Sequence, residues 1–195
     1  MILDIRKSTL PQHSPKTQSQ KNSYEKVHKK FIYNLLDIPY KKTVNGIDII
    51  CDDFCAELKN KLSGKEKNIY EGYSVTETQY QNYPKQCPDI PIFWMLCYYI
   101  LKTPLGKIRK NAKNKVLEEN VVYRKITVLK WDIVKNLEKK NYEIPSRLIS
   151  QVLLRTLNYE CYKFDKGILR IQKNDIILEA FSKHLSNDKF IHLYS

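Results

Sequence analysis

At 195 residues, 42% hydrophobic and 28% charged, the chain has the composition of a globular protein, enough for one domain or two small ones. Its 34 basic residues against 21 acidic ones give a formal charge of +13, which favours polyanionic partners and disfavours cationic ones. Five glycines make a Gly-rich phosphate loop improbable, and the longest apolar run, Ile92 to Leu101, is half a membrane span.

The chain opens with MILDIRKSTLPQ, which lacks the continuous apolar core of a secretory signal. Residues 8–23 are rich in Ser, Gln, Lys and Pro, so 1–23 is expected to be a disordered tail. Val27, Phe31 and Leu35 share one face of a helix that starts at Tyr24 and ends before Pro39. Asn45-Gly46 predicts two short strands across 40–50. Asp52 or Asp53 then caps a helix through Phe54, Leu58 and Leu62, closed by Gly64. Residues 64–90 are polar and Tyr-rich, and they read as a long loop between an N-terminal region, 24–88, and a C-terminal domain, 89–195. Pro91 to Lys102, apolar nearly all round, reads as a central buried helix, and 106–120 as a basic one.

Residues 125–142 carry Leu129, Ile133 and Leu137 at helical spacing. Pro145 opens a second helix to Leu157, with Ile149, Val152, Leu153 and Leu157 inward and Arg147, Ser150, Gln151 and Arg155 outward. Residues 159–171 read as a hairpin with Asp165-Lys166-Gly167 near its tip, Gly167 supplying the positive φ, and with Lys163, Lys166 and Arg170 on or beside it. This order of elements resembles a winged helix-turn-helix module.

The resemblance implies a mainly α fold with small β-hairpins (α+β), a recognition helix at 145–157 reading base edges, and a basic wing on phosphate. Between Leu101 and Asp175, 18 basic residues meet 8 acidic ones, which gathers most of the charge around that module. The expected function is nucleic-acid binding, of duplex DNA first and RNA second. The alternative is a non-catalytic structural or interaction subunit of a larger replication, repair or transcription assembly, with a protein partner or a homodimer in place of DNA.

Other constellations carry less. Five cysteines without a CxxC pair suggest reduced thiols in an intracellular compartment, cytoplasm or nucleus. Cys51 and Cys55 lack the further ligands that zinc needs, and His184 and His192 have no partners in the sequence. Asp48 followed by Glu57-Leu58-Lys59 invites comparison with the D…ExK arrangement of restriction-type nucleases, in which carboxylates hold a divalent metal and the lysine supports water attack. Glu57 falls in a helical pattern here and the spacing is short. No enzyme, metal or cofactor is therefore expected, and no membrane contact.

Overall fold

The computed structural model describes residues 15–39, 46–62, 72–103, 107, 112–141, 144–185 and 190–193. The apolar run at its centre is a strand rather than a helix. Ile92–Leu101 forms β4, hydrogen-bonded on one side to Cys55–Leu62 (β2) and on the other to Val121–Lys130 (β5). A strand covered on both faces needs apolar residues at every position, so a continuous run suits it as well as it suits a helix.

Before β2 come the helix α1 (Pro15–Leu35) and the short β1 (Ile49–Ile50). Between β2 and β4 lie β3 (Tyr73–Thr76) and α2 (Glu77–Gln86). α3 (Asn114–Glu119) precedes β5, and α4 (Trp131–Lys135), β6 (Lys139–Lys140), β7 (Ser146–Ile149) and α5 (Gln151–Thr156) follow it. The chain closes with β8 (Tyr159–Phe164), β9 (Gly167–Gln172), α6 (Asp175–Ser182) and β10 (Ile191–His192). One seven-stranded sheet runs in the order β1-β2-β4-β5-β9-β8-β10, and a three-stranded sheet in the order β3-β7-β6. β2 is parallel to β4 and β5 to β9, while β4 and β5 are antiparallel.

The expectation of a mainly α-helical chain with a C-terminal winged helix-turn-helix is thereby overturned: the fold is α+β on a mixed sheet. Residues 125–142 are the end of β5, the five-residue α4 and β6, and residues 145–157 are β7 and the six-residue α5. The hairpin at 159–172 forms, but as internal and near-edge strands of the large sheet. At its tip Lys166 takes φ 74°, and no described glycine has positive φ. Gly167 is required for another reason, since a Cβ there would collide with the Arg124 carbonyl. The helix expected from Asp52 is β2, and the expected 64–90 loop holds β3 and α2. α1 begins at Pro15, inside the expected tail, while residues 1–14 and 40–45 lie outside the described residues. Because β2 pairs with β4, residues on either side of 88 share one sheet.

Strand alternation sorts the side chains between two faces. On one face Ala56, Leu58, Phe93, Met95, Ile126 and Val128 pack under α1 and α6. On the other, Trp94, Leu96 and Leu129 meet Tyr73, Val75 and Ile149 of the small sheet and Tyr83 of α2. Cys55 at the head of β2 is disulfide-bonded to Cys87 at the end of α2. The expectation of reduced thiols throughout is corrected for that pair, and Cys51, Cys97 and Cys161 are free. Among the described residues no helix is long and apolar enough to cross a membrane.

Candidate active site

β1 and β2 are antiparallel, with Ile49 opposite Ala56 and Ile50 opposite Cys55. Asp48, in the bend just before β1, lies close enough to Glu57 on β2 to act on its carboxyl. The Leu58 N–H donates to Asp48 Oδ2 at 3.0 Å and so ties this carboxylate to β2. From α1, Lys29 Nζ comes within 3.5 Å of Asp48 Oδ1, and the Tyr33 hydroxyl donates to the Asp48 backbone oxygen at 3.3 Å. Glu25, one turn before Lys29, is exposed, and its carboxyl pKa is raised by desolvation and then by Asp48.

Glu57 lies on the same face of β2 as Lys59 and is 5% exposed. Gln79 on α2 donates from Nε2 to Glu57 Oε1 at 2.9 Å and to the Tyr83 hydroxyl oxygen at 3.0 Å. Lys59 Nζ lies 3.3 Å from Glu57 Oε1 and donates to Gln79 Oε1 at 2.8 Å, with the Trp94 ring beneath it. Glu57 Oε2 is buried and makes no well-aligned hydrogen bond among the described residues. Burial, and then the Asp48 carboxylate, push the Glu57 carboxyl up to about 7 against the pull of Lys59 and of the Tyr83 hydroxyl, which also faces the carboxylate.

Three restraints hold α2 where Gln79 can do this. Thr76 and Gln79 form a capping box: the Thr76 Oγ1 accepts from the Gln79 N–H, and the Thr76 N–H donates to Gln79 Oε1. Arg147 on β7 donates to Glu77 Oε2 at 2.7 Å while its guanidinium lies 3.4 Å from the Tyr80 ring centre. The Cys55–Cys87 bond pins the other end of the helix. Arg147→Ala is expected to lower stability by about 1–3 kcal/mol, the cost of losing a charge-assisted bond and a stacked guanidinium. Urea unfolding would read it, and a loss below about 0.5 kcal/mol would show that the other two restraints suffice.

Among the described residues, no group of three or more His, Cys, Asp or Glu is placed to hold a metal ion. Mg²⁺ asks for less, since it binds through one or two carboxylates and completes its octahedron with water and substrate phosphate. Asp48, whose oxygens meet the Leu58 N–H and Lys29, and Glu57, whose Oε2 makes no well-aligned hydrogen bond among the described residues, offer two carboxylates of that kind. Comparisons with family models, curated proteins and solved structures found no match.

The residues to which the winged-helix resemblance assigns DNA contacts are dispersed. Arg147 is engaged with Glu77 and Tyr80. Ser150 caps α5, its side chain accepting from the Leu153 N–H, and Gln151 is the first residue of that helix. Arg147 and Gln151 therefore do not share a helix face. Lys163 is exposed on β8, and Lys166 sits 3.6 Å from Glu118 at the hairpin turn. Arg155 and Arg170 each come close enough to Lys125 to lower its pKa. Gln79 and Tyr83 escape sequence reasoning, although Thr76-Glu77-Thr78-Gln79 is a capping-box sequence that marks the start of their helix. His184 contacts Asp53 at 3.2 Å, away from Glu57.

Proposed function

We propose that the protein is a divalent-metal-dependent nuclease that hydrolyses phosphodiester bonds of nucleic acid at Glu57, Asp48 and Lys59. The observation that carries this reading is the buried Glu57, beside Lys59 and close enough to Asp48 to feel its charge, with Oε2 making no well-aligned hydrogen bond among the described residues. A helical placement of Glu57 would weigh against the D…ExK comparison, and Glu57 lies on a strand. The positive charge of the chain suits a polyanionic substrate.

Asp48 and Glu57 would hold the cation, which when bound would polarise a phosphoryl oxygen and lower the pKa of a coordinated water. In hydrolysis the water oxygen bonds to phosphorus, the ester P–O bond breaks, and the leaving oxygen takes up a proton. Lys59 supplies a positive charge beside Glu57 for the negative charge that accumulates on the phosphoryl oxygens. Gln79 fixes the rotamer of Glu57, and Tyr83 and the capping box fix Gln79.

The test is incubation of the purified chain with end-labelled single-stranded and duplex oligonucleotides, with Mg²⁺ or Mn²⁺ and with EDTA. Cleavage that requires the metal and disappears in Glu57→Gln supports the reading. Cleavage that persists in Glu57→Gln, or none with either metal, rejects it. A second reading, a protein that serves through contacts in a larger assembly, is favoured by exposed Ile144, Leu148 and Val152 around β7 and α5. It predicts no cleavage under any condition and a concentration-dependent mass in light scattering.

A further inference from the structure

We propose that the part of the large sheet's second face beyond the small sheet, carrying Lys125 and Arg170 with Arg155 of α5 at its margin, is a track that binds the single-stranded nucleic acid whose cleavage is assigned to Glu57. That cleavage rests on the nuclease reading, whereas the binding of the strand stands on the geometry of the track itself.

Lys125 on β5 pairs with Ile168, and Thr127 pairs with Arg170, so Lys125 and Arg170 are diagonal neighbours on one face. By strand alternation it is the face that carries Trp94, Leu129 and Glu57. The small sheet and α2 cover that face over Trp94 and Leu96, and Lys125 and Arg170 lie beyond the apolar cluster they form. Two strand spacings and four residues separate Glu57 from Lys125, roughly 16 Å by ordinary sheet dimensions.

Arg170 and Arg155 are both close enough to act on Lys125. Burial, then Arg170 and Arg155, lower the pKa of the Lys125 ammonium. None of the three forms an ion pair among the described residues, and Arg170 Nε is buried without a partner. A cluster of like charges without a carboxylate is unfavourable in the free protein and is relieved when an anion enters. Tyrosines are set among the cations. Lys125 Nζ lies 5.4 Å from the Tyr98 ring centre, and Arg170 acts on the hydroxyls of both Tyr123 and Tyr159. Positive charge interleaved with aromatic rings is the chemistry that holds unpaired bases and their phosphates together. Lys125 and Arg170 are half-buried and Arg170 Nε is wholly so, so these cations protrude less than exposed ones. The rigid convex surface of a duplex would meet protruding side chains first, whereas a flexible single strand can dip to them.

The experiment is fluorescence anisotropy of labelled oligo(dT) and of a mixed-sequence duplex with the full chain, in EDTA and at several salt concentrations. Arg155→Glu alters an exposed residue, and Lys125→Gln keeps most of the volume of a half-buried one. Lys115→Gln, on α3 across the sheet, is the control. Arg155→Glu is expected to weaken oligo(dT) binding at least about tenfold, and each of the two track variants to lower the log–log salt slope by about 0.7 for each phosphate it no longer neutralises. Lys115→Gln should change affinity less than about twofold, and the wild-type chain should prefer oligo(dT) over duplex. Equal losses in all three variants would reduce the track to general basicity and overturn it. Tighter binding of duplex, with the same dependence on Arg155, would overturn the assignment to single strands. If oligo(dT) binds through Arg155 but is not cut with Mg²⁺ or Mn²⁺, the nuclease reading falls and the track stands. If it is cut and Arg155→Glu changes nothing, the track falls and the nuclease reading stands.

Discussion

Glu57→Gln is expected to lose cleavage and, at the same time, to stabilise the metal-free fold above neutral pH. The loss of activity should be on the order of 10²–10³-fold or more, the scale for removing one group that stabilises charge in a transition state. The gain in stability follows from the raised pKa of Glu57, from 4.5 to about 7, caused first by burial and then by Asp48. A carboxyl with a raised folded pKa binds more protons in the fold than in the unfolded chain between those two values. Its stability contribution is therefore fully present below 4.5 and is lost as pH rises through about 7. A shift of that size corresponds to about 3 kcal/mol as an upper figure. Gln keeps the shape and cannot ionise, so part of this loss disappears, offset by the missing attraction to Lys59. In EDTA the melting temperature of Glu57→Gln should exceed that of the wild-type chain by several degrees at pH 8 and converge with it near pH 4.5. Mg²⁺ should raise the wild-type melting temperature at pH 8 and leave the variant unmoved, because only a state that binds the ion is stabilised by it. A variant that melts below the wild-type chain at pH 8 in EDTA would show that Glu57 is not held at an energetic cost there.

The same strand explains why the site is hard to read from the sequence. Phe54, Leu58 and Leu62 are four residues apart, and a step of four satisfies the helix repeat and twice the strand repeat alike. Ala, Glu, Leu and Lys at 56–59 have strong helix propensity, so local preference points away from the strand until parallel pairing with β4 overrides it. Ile92–Leu101 is ambiguous for a different reason, since burial on both faces erases periodicity. The hairpin at 159–172 is legible because β-formers flank a tight polar turn. Asp48 and Glu57 can be noticed as a pair of residue types. Their approach depends on the β1–β2 register, and that of Gln79 on α2 crossing back over β2. The Cys55–Cys87 bond, 32 residues apart, likewise has no local signature. The charge surplus after Leu101 points to a polyanion, and in the fold Lys125, Arg155 and Arg170 gather from three elements rather than along one recognition helix.

Glu118→Ala is expected to destabilise the protein by about 3 kcal/mol, and Arg124→Met by less than about 1.5 kcal/mol, although the second removes more bonds. Arg124 on β5 is completely buried. Its Nη1 and Nη2 donate to the two Glu118 oxygens at 3.1 and 2.7 Å, and its Nε donates to His28 Nδ1 at 3.0 Å. The guanidinium lies 3.8 Å from the Phe31 ring centre. Burial, and then Arg124, hold the His28 pKa well below the ordinary imidazole range, which keeps His28 a neutral acceptor. The network joins α1, α3 and β5, and its strength is set by what each removal leaves behind. Without Glu118, a permanent charge remains in the interior with one neutral hydrogen bond and a ring face, and its desolvation is uncompensated. Without Arg124, Glu118 is left 28% exposed beside Lys166, where water can replace the lost bonds. Met fills much of the vacated volume against Phe31, so the cavity term is small. Urea unfolding at constant m-value would separate the two. If Arg124→Met proves the more damaging, the ion pair contributes net stability beyond its desolvation, and the asymmetry argued from burial is wrong.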